Sequence, residues 1–113
     1  MTIRPATPDD LGAIGELIRE LAEYEEAPDE VEWRDADELA EHLFGPAPAA
    51  HVHIAETDAG EVAGMALWFT TFSTWVGKPG IWLEDLYVRP QFRGHGFGKA
   101  LLTTLMDRSP GRV

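Results

Sequence analysis

Arg93-Gly94-His95-Gly96-Phe97-Gly98-Lys99 is the stretch of this 113-residue chain whose residue types and spacing best suit chemistry. It follows an apolar run and opens another, the setting of a strand-to-helix turn. The first N–H groups of a helix lack partners and carry partial positive charge, so such a turn favours an anion. Glycine lets the backbone approach phosphate oxygens closely. Arg93 and Lys99 add full charges, and an arginine can fork two hydrogen bonds to one phosphate. Two nucleotide motifs fail on spacing. A dinucleotide fingerprint needs glycine at position 99, where Lys99 stands, and a Walker loop needs glycine at 93 and Ser or Thr at 100, where Arg93 and Ala100 stand. Glu84-Asp85 is the second feature. Acids within an apolar strand are unusual, because an unpaired buried carboxylate is costly.

Positioning these residues requires ordered elements. Residues 2–5 read as a first strand. Thr7-Pro8-Asp9-Asp10 is a helix start, with a capping threonine, proline at the first position and acids in the first turn. Leu11, Ile14, Leu17, Ile18 and Leu21 continue that helix to about Glu26. Asp35 caps a second helix using Leu39, Leu43 and Phe44, stopped by Gly45-Pro46. Residues 51–56 alternate in polarity, and with residues 62–72 they read as an antiparallel hairpin across the Asp58-Ala59-Gly60-Glu61 turn. Residues 81–88 are apolar on both faces, which suggests a central strand. A last helix carries Leu101, Leu102, Leu105 and Met106, followed by a tail from Ser109. The order is β-α-α-β-β-β-α, without repeat or linker.

Composition narrows the class. The chain is 44% hydrophobic and 26% charged, which suits one soluble globular domain over residues 1–113. The absence of cysteine removes disulfides, thiolate nucleophiles and cysteine-based zinc sites. No apolar run approaches the ~20 residues of a membrane span. Met1-Thr2-Ile3-Arg4-Pro5 has no signal-peptide core, so a cytoplasmic, membrane-free protein is expected. A net charge of −11 argues against nucleic-acid partners. That charge is uneven: residues 1–77 hold 3 basic and 17 acidic side chains, residues 78–113 hold 6 and 3. Twelve acids fall between Glu16 and Glu41. They are either solvated helix faces or a field that draws a cation to one side and leaves an anion to the other. His42, His51, His53 and His95 do not make a metal set, and no metal is expected.

Gln91-Phe92-Arg93-Gly94-His95-Gly96-Phe97-Gly98 resembles the R/Q-x-x-G-x-G/A signature of the GCN5-related N-acetyltransferases, and Leu83-Glu84-Asp85-Leu86-Tyr87-Val88 resembles the central strand of that α/β (α+β) fold. Ile3-Arg4-Pro5-Ala6-Thr7, Glu20-Leu21-Ala22-Glu23-Tyr24-Glu25 and Trp75-Val76-Gly77-Lys78 resemble its diamine (spermidine/spermine) and thialysine branch. The resemblance implies a mixed, mostly antiparallel sheet flanked by helices. It also implies acetyl transfer from acetyl-CoA to a primary amine by direct attack. Backbone at Leu86, Tyr87 and Val88 would hold the pantetheine arm and the thioester carbonyl. The turn of Arg93, Gly94, His95, Gly96, Phe97, Gly98 and Lys99 would hold the pyrophosphate. Glu84 matches the carboxylate that takes the amine's proton. An alkylammonium has a pKa near ~10 and cannot attack until deprotonated, so a base belongs there. Tyr24 and Glu25 match amine-contacting positions. Trp75 either shapes the amine pocket or packs in the core or a dimer. Homodimers are common in the family.

Members of the family continue beyond the glycine-turn helix. Their further elements complete the sheet and carry a tyrosine that protonates the departing thiolate. Tyr24 and Tyr87 are the tyrosines here, and neither matches that position. The expectation is a C-terminally incomplete domain. Two readings stay open: a working N-acetyltransferase, or an impaired fragment that binds CoA weakly or acts by self-association.

Overall fold

Proline and two acids after Thr7 start the first helix as the sequence suggests. In the computed structural model, which describes residues 1–109, Pro8–Asp10 form a single 3-10 turn that runs directly into helix α1, Leu11–Tyr24. The tail at residues 110–113 lies outside the described residues. The Asp10 carboxylate accepts the Thr7 N–H at 2.7 Å and two Arg4 N–H groups at 2.7 and 2.8 Å. Arg4 also pairs with Glu56. One guanidinium thus ties the start of α1 to strands β1 (Thr2–Pro5) and β2 (His51–Glu56). The bidentate arrangement holds the Asp10 carboxyl below its usual range.

The second helical region is shorter than its apolar spacing suggests. Asp35 caps it by accepting the Asp37 N–H at 3.0 Å. A 3-10 turn, Ala36–Leu39, precedes a short α2, Ala40–Phe44. Strands β3 (Val62–Ser73) and β4 (Lys78–Val88) follow, then α3, Phe97–Arg108.

The four strands pair in sequence order, every neighbour antiparallel. Among the described residues the sheet is purely antiparallel, the antiparallel majority expected of the fold. The central position expected for residues 81–88 is corrected. β2 and β3 lie inside, and β4 pairs only with β3 among the described residues. Its two-sided apolarity comes from Trp82 and Leu86, both of which are exposed. The strand also begins three residues earlier than expected, at Lys78, because the hairpin pairing continues to Ser73↔Lys78.

Each sheet face buries its own cluster. Ile14, Leu17 and Leu43 pack with Ile54, Met65 and Tyr87 on the α1 side. Leu101 and Leu105 pack with Ala55, Ala66, Trp68 and Ile81 on the α3 side. Along β2, Val52 and Ile54 face α1 and Ala55 faces α3, the alternation a two-sided strand requires. His53, polar in sequence, is buried. Burial lowers its pKa, and its Nδ1 accepts the Trp68 indole N–H at 3.0 Å. That pairing makes it a satisfied core histidine.

Candidate functional site

Gly94 and Gly96 have φ of +82° and +86°, in the left-handed region that residues with a Cβ avoid. Gly96 is the residue before α3. Among the described residues, the backbone N–H groups of residues 94–99 have no hydrogen-bond partner until Ala100 N–H reaches the Gly96 carbonyl at 3.0 Å. Phe97 is buried against the α3-side cluster and meets Phe92 edge-on at 6.2 Å. This pair anchors both ends of the turn. Gly98 has ordinary helical geometry, and a Cβ there would stand 3.8 Å from Val88. Arg93, His95 and Lys99 are exposed, and no carboxylate pairs with either Arg93 or Lys99 among the described residues. Unpaired amides and two unneutralised cations at the start of a 12-residue helix suit a diphosphate.

Glu84 and Asp85 are separated by a register shift. Leu67 faces Asp85 and Trp68 faces Leu83, so Glu84 has no partner and forms a β-bulge. A bulge turns the strand over. Before it, Ile81 and Leu83 pack on the α3 side; after it, Tyr87 packs on the α1 side. Asp85 consequently faces α1, while Glu84 is exposed at the kink. Asp85 lines a cleft of about 160 Å³ with Ile18, Leu21 and Ala22 of α1 and with Glu25 and Glu30 beyond it. Three acids over an apolar floor suit an alkylammonium: the methylenes take the floor and the charge takes the carboxylates.

Burial pushes the Asp85 carboxyl up, and the charges of Glu84 and Glu25 push it further. A carboxyl raised on folding favours the native state most below the ordinary carboxylate pKa of ~3.9, and this favour is lost as pH rises through the raised value. Asp85→Asn removes the charged form. It is expected to raise the melting temperature at pH 7. The gain should vanish near pH 3. Thermal denaturation at both pH values checks it.

The other anticipated residues fall in several places. Leu86 is 38% exposed, Tyr87 is buried and Val88 half-buried, all on β4 leading to the turn. Glu25 lines the acidic cleft. Tyr24, 67% exposed, lies against Arg93. Trp75 is 98% exposed at the β3–β4 hairpin tip, outside the cleft, which corrects the reading that packs it in the core. Sequence reasoning overlooked Arg89. It bonds Glu16 at 3.0 Å, Glu20 at 3.1 Å and the Val62 carbonyl at 3.2 Å, so two of the twelve clustered acids are paired. It also overlooked the half-buried Asp85 as the carboxylate of the cleft. Among the described residues no His/Asp/Glu group could hold a metal ion, and no helix is long and apolar enough to cross a membrane.

Among the described residues, a four-stranded antiparallel sheet with helices on both faces and a glycine turn of unpaired amides after β4 defines a recognisable class. The profile of the Acetyltransferase (GNAT) family matches residues 15–112, and the chain belongs to that family. Among its relatives, thialysine N-epsilon-acetyltransferase of Bos taurus is 41% identical over 112 residues, covering 93% of this chain and 65% of that protein. The chain thus spans 65%, just under two thirds, of that relative's length. Spermidine/spermine N(1)-acetyltransferase-like protein 1 of Homo sapiens is 36% identical over 91% of this chain and 15% of its own length. The crystal structure of a ribosomal-protein-alanine N-acetyltransferase from Brucella melitensis biovar Abortus 2308 superposes with a TM-score of 0.73 at 28% identity, covering 96% of this chain and 71% of that one. The likeness to the diamine and thialysine branch read from the sequence agrees with the first two.

Proposed function

We propose that the chain is a single cytoplasmic N-acetyltransferase domain that moves acetyl from acetyl-CoA to a primary amine of a small polyamine or of a lysine- or thialysine-like amino acid. The observation that carries this reading is the arrangement along β4. An acidic cleft opens beside Asp85, Glu84 stands at the adjacent bulge, and the same strand runs into a turn of unpaired amides. The relatives' names support the choice of amine.

The turn at residues 93–99 holds the cofactor's diphosphate, and backbone at Leu86, Tyr87 and Val88 holds its pantetheine arm. Acetyl-CoA supplies an acyl carbon activated by its thioester. Glu25 and Asp85 receive the ammonium. Glu84, exposed at the kink, takes the proton from the amine that attacks. A backbone N–H near Val88 would stabilise the carbonyl oxygen as negative charge develops there, and as the C–N bond forms and the C–S bond breaks CoA would leave as a thiolate that solvent protonates.

Free-thiol release from acetyl-CoA, followed with thialysine, lysine and spermidine, tests the reading. Amine-dependent release is expected; its absence with all three while CoA still binds would leave the impaired-fragment reading standing. Self-association is the second reading. It is favoured by the unpaired edge of β4 among the described residues, since a free edge invites another strand. Sedimentation equilibrium measures it.

A further inference from the structure

Arg93 is held unlike Arg4, Arg19 and Arg89. Arg4 and Arg89 are paired with carboxylates, and Arg19 donates to backbone carbonyls. Arg93 donates only its Nε–H, to the Val88 carbonyl at 2.9 Å. Its guanidinium carbon lies 4.9 Å from the centroid of the Tyr24 ring and 5.6 Å from that of Tyr87. The two terminal nitrogens have no hydrogen-bond partner among the described residues. One carbonyl and two aromatic faces therefore fix the side chain and leave the fork open. An exposed arginine without such supports would spread over many rotamers.

Tyr87 is fixed independently: it is buried, and its hydroxyl reaches Glu20 at 3.4 Å. Tyr24 is the adjustable support. It ends α1 and is two-thirds exposed, so core packing does not account for its place. The chain beyond it is tightly specified. Ala27 N–H bonds the Ala22 carbonyl at 2.8 Å and Glu26 N–H the Glu23 carbonyl at 3.0 Å, closing the helix with Glu26 in the left-handed region at φ +59°. A non-glycine residue held there marks a constrained segment. That segment holds Tyr24 beside the turn and the next residue, Glu25, in the acidic cleft.

We propose that Tyr24 is a positioning residue for the cofactor: it aims the Arg93 fork at the incoming diphosphate and, through Glu25, couples the amine cleft to the turn. This rests on the acetyltransferase reading above and departs from the expectation that Tyr24 touches the amine. Coupling of two sites is reciprocal, so an amine in the cleft tightens CoA binding and CoA tightens amine binding by the same factor.

Calorimetric titration with CoA, with and without saturating thialysine, tests this on the wild type, Tyr24→Leu and Tyr24→Phe. Tyr24→Leu is expected to weaken CoA about two- to fivefold, the range for loss of one exposed cation–π support. It should abolish the enhancement by thialysine, and leave thialysine affinity without CoA and the urea midpoint unchanged. Tyr24→Phe keeps the ring and should restore both CoA affinity and enhancement. CoA affinity unchanged in Tyr24→Leu, or a loss of thialysine affinity in the absence of CoA, would overturn the proposal while the acetyltransferase reading stands. A wild type that binds no CoA would overturn both.

Discussion

Glu84→Gln is expected to lower amine-dependent thiol release ~10²- to 10⁴-fold at neutral pH, the usual cost of removing a positioned base. The reason is the amine's own acidity. With a pKa near ~10, only about one molecule in a thousand is free base at pH 7, so attack depends on a group that removes the proton at the site. Glutamine keeps the size of the side chain and its place at the bulge but cannot accept that proton. CoA affinity, set by the turn at residues 93–99, should stay nearly constant. The deficit should narrow as pH rises toward 9, where solvent supplies more free amine. Initial rates across that range, beside a CoA titration of the variant, make the check. An unaltered rate at pH 7 would remove Glu84 from the base role and leave Asp85, its half-buried neighbour, as the carboxylate to test.

Gly64→Val should be the most damaging single change to the fold around the site. Gly64 faces Val88 across the β3–β4 ladder. A Cβ there would lie 2.4 Å from the Tyr87 carbonyl oxygen and 3.0 Å from the Val88 Cα, both backbone atoms that cannot swing aside. The strands must part where the cofactor's arm is proposed to lie. A loss of about 3 kcal/mol or more is expected, at the upper end of overpacking effects, read as a lower urea midpoint or as no cooperative transition at all. A variant as stable as wild type would mean that the two strands do not approach so closely.

The sequence displays some of this and hides the rest, for identifiable reasons. The Thr7-Pro8 helix start and β2, His51–Glu56, could be located because capping and polarity alternation are local signals. The glycine turn was legible because Gly94 and Gly96 sit where the backbone needs positive φ. The bulge at Glu84 was not legible. It is a relation between β4 and β3, and it alone sends Asp85 to the α1 side. The edge position of β4 was obscured by Trp82 and Leu86, apolar residues that stay exposed. The contact of Tyr24 with Arg93 joins residues far apart in the chain, and no periodicity within either segment encodes it.

The central claim is that the unpaired amides after β4 grip the cofactor's diphosphate. Backbone amide shifts recorded during a CoA titration test it most directly. The largest changes are predicted at residues 94–99, with smaller ones at Leu86, Tyr87 and Val88. Saturable binding whose largest changes fall elsewhere, with the turn silent, would contradict it.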